Sequence, residues 1–479
     1  MKRFDAATIV RATAGTLLSA PRDGDRRTFA VETDTRRLRS GSAFLALRGS
    51  RFDGHDYLDA ALAIEETGVI GERDRVAALA PERTRGRMAV GVDDSLRALG
   101  DLAAFARREV DIPVIGLTGS AGKTTTKEFV RHILERTGPG LATKGNFNNL
   151  VGLPLTLLDI RPIDRWIVLE MGMNAPGEIA RLAEIARPTL RLITNIGMAH
   201  TEGLGSIEGV AEAKGELFAS AQPGDILVKN LDDPRVAMRP VPPGVEVLGY
   251  GRSPGASVRL LGVHPSPRTT RIVMGLGARQ VDAHLRLPGE HNAFNALAAA
   301  ALAHALNIDA ETIVSGLEAM RADAGRSMFI TLPGPVEVID DTYNANPLSM
   351  KAALRLLAEQ KPLRGCARGV AVLGDMLELG TLEGSAHEEL GRTAAAMGID
   401  CLLTCGHRAA EIAAGAKAAG MPAGAVHPFE DSAALSARID RFVEAGDLVL
   451  VKGSRGARME VVVQAIREAR GRKAKGGRT

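Results

Sequence analysis

The pattern of apolar and polar residues divides the chain into alternating strands and helices. Short apolar runs that end at glycines or polar residues predict buried strands, and apolar residues spaced three and four apart predict amphipathic helices between them. Val114–Leu117 is one such run, and Phe129, Val130 and Ile133 follow it at helical spacing. Because strands and helices alternate over most of the chain, we expect an α/β protein with mostly parallel sheets.

The pattern changes twice along the chain and predicts three domains. Residues 1–110 read as a small α/β unit, 111–322 as a mostly parallel sheet with helices on both faces, and 323–479 as a Rossmann-like α/β domain without a dinucleotide fingerprint. A basic tail from about residue 468 is expected to be disordered. Residues 245–288 alternate as an antiparallel ribbon. The predicted strands are Thr28–Val31, Ala43–Leu47, Met88–Val92, Val114–Leu117, Trp166–Leu169, Leu190–Ile196, Ile226–Lys229, Val336–Ile339, Val370–Leu373, Cys401–Thr404 and Leu448–Val451, and the predicted helices include Ala6–Ala14, His55–Glu65, Ser95–Arg107 and one from Gly289 to about Leu306.

The composition narrows the class of protein. At 479 residues the chain is long enough for two to three domains, and 45% hydrophobic with 24% charged residues describes a soluble globular protein. No run approaches the ~20 apolar residues of a membrane span, and no secretory signal is visible, so we expect a cytoplasmic protein without membrane insertion. A net charge of +3 and 3% aromatic residues argue against nucleic-acid binding. Three cysteines do not make a disulfide framework, and we expect a monomer.

A glycine-rich loop carries the clearest chemistry in the sequence. Three glycines between residues 116 and 122 are followed by Lys123 and by hydroxyls that begin at Thr124. Glycines let backbone N–H groups point at a phosphate, and the following helix N-terminus adds positive potential. Lys123 would then hold the β- and γ-phosphates and Thr124 would bind Mg²⁺. The general phosphate-loop spacing needs glycine where Leu117 stands, so an ordinary glycine-rich turn stays open as an alternative.

Two candidate metal ligands follow other predicted strands. Glu170 comes directly after one buried strand, and His200 comes just past another. Ligands of open α/β sheets bind beyond the carboxyl ends of the strands, so both residues are expected near the phosphate loop. A carboxylate at that edge can order Mg²⁺, and a histidine can bind a metal, although a lone histidine is more often structural.

The loop form G-x-T-G-x-x-G-K-T-T resembles that of the Mur ligases and the related folylpolyglutamate synthetases. Further motifs of this family occur in one order between about residues 30 and 460. They are D-[ST]-R at Asp34, L-x-G-x-x-F-D-G-H at Leu47, T-x-G-N-x-N-N at Thr143, N-I-x-x-A-H at Asn195, A-x-x-K-x-E at Ala211, G-x-H-N-x-x-N at Gly289 and D-D-x-Y-N-A-N-P at Asp340. The third and the last of these are typical of the branch that adds D-alanyl-D-alanine.

The resemblance implies a role for each motif residue. The implied catalytic residues are Lys123, Glu170, His200, Lys214 and Arg326. The implied ATP-binding residues are Thr118, Gly119, Ser120, Ala121, Gly122, Lys123, Thr124, Thr125, Asn292, Asn295, Arg326, Asp340 and Asp341. The implied substrate-binding residues are Asp34, Thr35, Arg36, Arg48, Gly49, Phe52, Asp53, Gly54, His55, Asn146, Asn148, Asn149, Tyr343, Asn344, Asn346, Lys452, Ser454 and Arg455. The implied Mg²⁺ ligands are Thr124, Glu170, His200 and a carbamylated Lys214.

Simpler explanations exist for some of these residues. Asn292 could cap the helix that follows it, and Asn346 with Pro347 predicts the start of another helix. Lys214 could be an unmodified surface lysine.

The resemblance also implies a reaction. An ATP- and Mg²⁺-dependent ligase of this branch joins D-alanyl-D-alanine to UDP-N-acetylmuramoyl-tripeptide through an acyl phosphate, the last cytoplasmic step in making the peptidoglycan precursor. The first domain would bind the UDP-sugar, and the partners would be these small molecules. The alternatives are a ligase that adds the third amino acid to the dipeptide precursor, a folylpolyglutamate synthetase, and a non-catalytic ATP-binding homologue. The D-N-P-R element of the third-residue ligases does not occur after residue 330.

Overall fold

Three β-sheets, each covered by helices, organise the molecule. The computed structural model describes residues 2–22, 27–49, 51–322 and 324–476. The sheets lie within residues 3–92, 114–285 and 328–452, and we call the parts that they organise the N-terminal, central and C-terminal domains. The α/β class is confirmed, while the boundaries near residues 110 and 322 stay a prediction.

The N-terminal domain has a six-stranded mixed sheet. Its strands are β1 Arg3–Asp5, β2 Thr16–Ser19, β3 Thr28–Glu32, β4 Ser42–Leu45, β5 Gly68–Glu72 and β6 Ala89–Val92, and its helices are α1 Ala6–Thr13, α2 Leu58–Leu62, α3 Arg73–Ala77, α4 Pro81–Thr84 and α5 Ser95–Arg108. The order is β1-β3-β4-β5-β6-β2, with antiparallel strands at both edges. The helix predicted over His55–Glu65 is shorter, because Asp53 first caps a 3₁₀ turn over Gly54–Tyr57.

The central domain has a nine-stranded sheet. Its strands are β7 Val114–Thr118, β8 Leu141–Ala142, β9 Ile167–Glu170, β10 Leu190–Ile193, β11 Ile226–Asn230, β12 Glu246–Gly251, β13 Val258–Pro265, β14 Thr270–Leu276 and β15 Arg279–Leu285. Its helices are α6 Lys123–Leu134, α7 Gly152–Leu157, α8 Glu178–Ala186, α9 Thr201–Leu204, α10 Ile207–Ala219, α11 Pro234–Ala237, α12 Glu290–Ala305 and α13 Ala310–Ala319. The order is β15-β14-β13-β12-β11-β10-β7-β9-β8. The predicted antiparallel ribbon is confirmed by the pairing of β13, β14 and β15.

The C-terminal domain has a six-stranded sheet with one antiparallel edge strand. Its strands are β16 Met328–Leu332, β17 Val336–Asp341, β18 Arg368–Gly374, β19 Cys401–Cys405, β20 Val426–Phe429 and β21 Asp447–Lys452, and its helices are α14 Pro347–Leu363, α15 Glu383–Ala396, α16 Ala409–Ala418, α17 Ser432–Ser436 and α18 Glu460–Gly476. The order is β16-β17-β21-β18-β19-β20.

The predicted disorder from about residue 468 is wrong as far as Gly476. Helix α18 continues to that residue, and Ile466 and Ala469 are buried on it. Packing of this face starts the helix, and the arginine, lysine and alanine that follow are good helix formers, so the helix extends into the basic segment. Residues 477–479 lie outside the described part of the chain.

Alternate residues of the central strands point into two separate cores. Val114 and Leu169 belong to the core under α5, α8 and α10, whereas Ile115 and Val168 belong to the core under α6 and α12. Both faces of the sheet are therefore covered, which leaves the carboxyl edge of β7, β9 and β10 as the open side for a ligand. Among the described residues, no helix is both long and apolar enough to cross a lipid bilayer.

Candidate functional site

A cavity of about 1370 Å³ lies at the carboxyl edge of the central sheet and extends to the C-terminal domain. Most of the site residues predicted for these two domains line it. They are Ser120, Ala121, Gly122, Lys123, Thr124, Thr125, Asn146, Asn148, Asn149, Glu170, His200, Asn292, Asn295, Arg326, Asp341, Tyr343, Asn344, Asn346, Lys452 and Arg455. Thr118, Gly119, Lys214, Asp340 and Ser454 are not in the cavity wall, although Ser454 and Asp340 lie beside residues that are.

The glycine loop joins β7 to α6 and needs glycine at two positions. Gly119 has φ +152°, and a Cβ there would lie 1.9 Å from Thr194 Oγ1. Gly122 has φ +81°, and a Cβ there would lie 2.2 Å from Asn295 Oδ1. Any side chain would therefore collide with a neighbouring polar group. Glycine at these two positions lets the backbone of the loop pass close to Thr194 and Asn295 just before the N-terminus of α6.

Lys123 begins α6 and lies inside this loop. Its Nζ donates a hydrogen bond to the Gly119 carbonyl at 2.7 Å. Burial lowers the pKa of Lys123, the cation Arg326 adds to this, and Glu170 and Glu378 oppose it. A partly desolvated ammonium at a helix N-terminus is suited to hold phosphate oxygens, because low local dielectric strengthens the attraction.

Thr124 and Glu170 form an oxygen-rich pair beside Lys123. The Thr124 hydroxyl donates to Glu170 Oε2 at 2.8 Å, and Asn148 Nδ2 donates to Glu170 Oε1 at 2.8 Å. Thr143 Oγ1 accepts from the Glu170 backbone N–H at 3.0 Å and anchors the end of β9. Hydroxyl and carboxylate oxygens are the ligands that Mg²⁺ prefers, so the chemistry of this pair fits Mg²⁺.

His200 and Lys214 lie on the next elements along the sheet edge. His200 is followed by α9, has φ +57°, and its Nδ1 lies 2.6 Å from Glu378 Oε2. This Nδ1 atom makes no hydrogen bond of standard geometry, so the pair is a close contact of a ring nitrogen with a carboxylate oxygen. Lys214 on α10 is buried, so the surface-lysine alternative is wrong. Burial, with Lys123 nearby, lowers the pKa of Lys214 well below its usual value.

Asn292 and Asn295 lie on the first turns of α12. Asn292 Nδ2 donates to the Pro288 carbonyl at 2.9 Å, and Asn295 Nδ2 donates to Asn292 Oδ1 at 3.3 Å. The residue at the N-cap of α12 is Gly289, so the capping alternative for Asn292 is wrong. Both amides instead make hydrogen bonds within the start of this helix, and both residues line the cavity.

The C-terminal domain contributes cations to the opposite wall. The guanidinium of Arg326 stacks 3.9 Å from the Tyr343 ring centroid. Lys452 Nζ lies 2.7 Å from Asp341 Oδ2 and donates to the Asn344 carbonyl at 2.9 Å. The neighbouring Asp340 is used locally, because its Oδ1 accepts from the Thr342 hydroxyl at 2.7 Å.

Asn346 connects the two domains at the loop itself. It caps α14 in a capping box with Ser349, and its Nδ2 donates to the Ser120 carbonyl at 2.9 Å. The predicted helix start at Asn346 and Pro347 is confirmed. Ser454 Oγ accepts from the Leu377 N–H at 2.9 Å, which ties the segment after β18 to the segment after β21, where Arg455 is exposed.

The predicted substrate residues of the N-terminal domain lie away from this cavity. Asp34 caps a 3₁₀ turn over Thr35–Arg37, and its hydrogen bonds with Arg36 lower the pKa of Asp34 to about 2. Gly49 and Gly54 close the loop that presents Phe52, which is 74% exposed. From this domain Leu96 lines the cavity.

Asp53 and His55 form a closed network inside the same domain. His55 Nδ1 lies 2.6 Å from Asp53 Oδ1, and His55 Nε2 accepts from the Glu72 N–H at 2.9 Å. Arg48 Nη2 lies 2.8 Å from Glu72 Oε2. Both ring nitrogens of His55 are therefore used within the domain, and the side chain is fully buried. His55 is a structural residue here.

Other cavity residues were not predicted from sequence. Asn195 Oδ1 accepts from the Ala121 N–H at 2.8 Å and so holds the glycine loop, and burial lowers the pKa of His291 to about 4, which leaves its ring neutral near pH 7. Both residues stand inside motifs whose other members were selected. Glu378 belongs to a segment of the C-terminal domain, and only its contact with His200 distinguishes it.

Two family models match this chain. Residues 117–303 match the Mur ligase middle domain, and residues 325–455 match the Mur ligase glutamate ligase domain. The UDP-N-acetylmuramoyl-tripeptide--D-alanyl-D-alanine ligase of Escherichia coli (strain K12) is 38% identical over 445 residues, which cover 92% of this chain and 94% of that protein.

Solved structures agree over nearly the same length. A crystal structure of MurF from Acinetobacter baumannii superposes with a TM-score of 0.88 at 32% identity, covering 98% of this chain and 99% of that one. The MurF ligase of Thermotoga maritima, crystallised in complex with ADP, gives a TM-score of 0.81 at 28% identity over 92% of this chain and 98% of that one.

Proposed function

The chain belongs to the Mur ligase family, and from this we infer that it joins D-alanyl-D-alanine to UDP-N-acetylmuramoyl-tripeptide with ATP as the energy source. The product is the pentapeptide precursor of peptidoglycan. One observation of the site carries this assignment: Lys123 and the Thr124–Glu170 pair of one domain line the same cavity as Arg326 and Lys452 of another. The alternative of a third-residue ligase is not favoured, because the full-length similarity is to ligases that add D-alanyl-D-alanine.

The first chemical step brings two anions together. The carboxylate of the tripeptide attacks the γ-phosphorus of ATP, which forms an acyl phosphate and releases ADP. Lys123 and Arg326 lie where they can neutralise the phosphate charge that opposes this approach. Because both cations are held by backbone and ring contacts before substrate arrives, little reorganisation is needed during the reaction.

We propose that Mg²⁺ assists this step and is held by Thr124 and Glu170, with His200 and Lys214 at a second position. A bound Mg²⁺ would supply positive charge next to the transferred phosphoryl group. Lys214 can bind a cation only after it has lost its own charge, as in the carbamate that the family resemblance implies. Burial favours the neutral amine that reacts with carbon dioxide, so the environment of Lys214 supports this role.

The second step forms the amide bond. The amine of D-alanyl-D-alanine attacks the acyl carbon, and phosphate leaves. We propose that Lys452, Ser454 and Arg455 receive this dipeptide, because Lys452 ends β21 and the other two follow it at the cavity edge of the C-terminal domain. Two cations at this edge would suit the carboxylate of the dipeptide.

The remaining assignments are also proposals. We propose that Asp34, Thr35, Arg36, Arg48, Gly49, Phe52, Asp53 and Gly54 form the region that receives the UDP group. We propose domain boundaries near residues 110 and 322, and a monomer that works in the cytoplasm, where ATP is available.

Phosphate release tests the assignment. We expect the protein to release phosphate from ATP only when both UDP-muramoyl-tripeptide and D-alanyl-D-alanine are present, with one pentapeptide formed for each phosphate. Replacing the dipeptide by a diamino acid together with the UDP-muramoyl-dipeptide is the matched control for the third-residue ligase. Phosphate release that does not depend on D-alanyl-D-alanine would refute the ligase assignment, and no release at all would favour the non-catalytic homologue.

A further inference from the structure

Glu378 of the C-terminal domain reaches across the cavity edge to a residue of the central domain. Its Oε2 lies 2.6 Å from Nδ1 of His200. Glu378 lies in the segment that follows β18, and His200 lies between β10 and α9. The contact therefore joins the domains of two different sheets, as the hydrogen bond from Asn346 to Ser120 also does.

Two further hydrogen bonds, from residues next to His200 to backbone carbonyls of the Glu378 segment, hold this contact. The Glu202 N–H donates to the Glu378 carbonyl at 3.1 Å, and the Thr201 hydroxyl donates to the Leu379 carbonyl at 3.0 Å. His200 and Glu378 both have left-handed backbone, with φ +57° and +66°. Non-glycine residues avoid this conformation, and where it occurs it is concentrated at functional sites.

The geometry points to Glu378 as a positioning residue for the metal centre. An imidazole that binds a metal through one nitrogen is usually oriented by a carboxylate at the other. With Glu378 against Nδ1, the ring nitrogen that remains for a metal is Nε2, and His200 lines the cavity. We propose that Glu378 orients His200 in this way when a metal is bound, with Nδ1–H donating to the carboxylate after a small rotation of the ring, so that the second metal position is complete only when the C-terminal domain is docked.

This inference rests on the proposed function for the identity of His200 as a ligand. It adds that one domain supplies the ligand and another supplies its orientation. Binding of the dipeptide to the C-terminal domain would then be linked to metal binding in the central domain, since both depend on how this domain is docked.

Manganese binding tests the inference without using activity. Electron paramagnetic resonance measures the Kd of Mn²⁺ for the full chain saturated with ADP. The His200-dependent Mn²⁺ is defined as the binding lost in His200→Ala. We expect Glu378→Ala to weaken this Mn²⁺ by about tenfold or more, because loss of an orienting partner costs about 10–100-fold in affinity. Glu378→Gln keeps an acceptor oxygen at the same place and should lose less.

Two comparisons distinguish an effect of Glu378 on the orientation of His200 from an effect on the contact between the two domains. Glu202→Ala removes an exposed carboxylate from the same segment but keeps the hydrogen bonds to the Glu378 and Leu379 carbonyls, so its Mn²⁺ affinity should equal that of the wild type. In the His200→Ala background, Glu378→Ala should cause no further loss. An additive loss there, unchanged Mn²⁺ affinity in Glu378→Ala, or no difference between wild type and His200→Ala would overturn the inference.

The proposed function fails by a different result. If Mn²⁺ binding follows the pattern above but no pentapeptide forms, the ligase assignment is wrong and the orienting role stands. If pentapeptide forms but Glu378→Ala binds Mn²⁺ like the wild type, the ligase assignment stands and the orienting role is wrong. Circular dichroism melts of each variant show whether it is folded, and Glu378→Gln serves if Glu378→Ala is not.

Discussion

His55 and His200 each end one of the sequence motifs, yet their surroundings in the structure differ. His55 is fully buried, with Asp53 at one ring nitrogen and the Glu72 N–H at the other. His200 is 24% exposed, lies at the cavity, and contacts a carboxylate from another domain through one nitrogen. A histidine with both nitrogens satisfied inside its own domain stabilises that domain, whereas one with a free nitrogen at a cavity can bind a ligand.

The regions around the two histidines also differ in whether their polar groups are satisfied within the region or are available to a ligand. In the N-terminal network Arg48, Asp53 and Glu72 satisfy one another. At the edge of the central sheet Lys123 donates a hydrogen bond to a carbonyl of its own loop. The Glu170 carboxylate accepts hydrogen bonds from a hydroxyl and an amide. A nucleotide phosphate or a cation can replace or extend such contacts without exposing a buried charge.

The largest effect is expected for Lys123→Ala. We expect kcat/KM for ATP to fall by about 10²–10³-fold or more, because a preorganised charge at the phosphate is lost in a desolvated site. The melting temperature should stay close to that of the wild type, since the hydrogen bond to Gly119 is local. Lys417→Ala on the exposed side of α16 is the matched control and should change neither quantity. Retained activity in Lys123→Ala would contradict the loop assignment.

Replacing the two histidines should give opposite results. His55→Ala removes two buried hydrogen-bonding contacts, so we expect a loss of about 1–3 kcal/mol in the free energy of unfolding with little change in kcat. His200→Ala should raise the Mg²⁺ concentration needed for half-maximal activity and leave the melting temperature nearly unchanged. Thermal melts and Mg²⁺ titrations of both variants measure this split, and a reversed pattern would contradict the comparison.

A smaller effect is expected when the free energy of unfolding is measured at low pH. Hydrogen bonds from His55, with Arg75 nearby, lower the pKa of Asp53 to about 2. A carboxyl whose pKa is lower in the folded state stabilises the protein above its unfolded pKa of about 3.9, and this stabilisation is lost as pH falls toward 2. Asp53→Asn should therefore flatten the dependence of stability on pH between about 4 and 2. Denaturant titrations across this range measure it, and an unchanged slope would show that Asp53 does not contribute.

Much of the fold follows from the sequence, because buried strands leave a strong apolar signal. The runs that form β7, β9, β10 and β11 are mostly apolar and are buried at nearly every position, which matches strands covered on both faces. Short edge strands such as β2 and β16 gave no such signal, since their side chains are partly exposed. The basic segment at the end of α18 is helical because of packing that precedes it, which local composition does not reveal.

The sequence predicts those residues of the site that belong to motifs at the ends of strands. Lys123, Thr124 and Glu170 were found in this way, and the structure brings them together. The closed network of His55 could not be recognised, because the Glu72 N–H at its second ring nitrogen comes from β5 and meets it only in the folded domain. Glu378 could not be selected either, since its relation to His200 exists only after two domains have docked.

The most direct test of the account follows one oxygen atom. UDP-muramoyl-tripeptide labelled with ¹⁸O in the reacting carboxylate is incubated with the protein, ATP, Mg²⁺ and D-alanyl-D-alanine, and the released phosphate is analysed by mass spectrometry. If the carboxylate attacks the γ-phosphorus and the amine then displaces phosphate, each phosphate formed from fully labelled substrate carries one ¹⁸O. Phosphate without ¹⁸O, released while pentapeptide forms, would contradict the acyl-phosphate route.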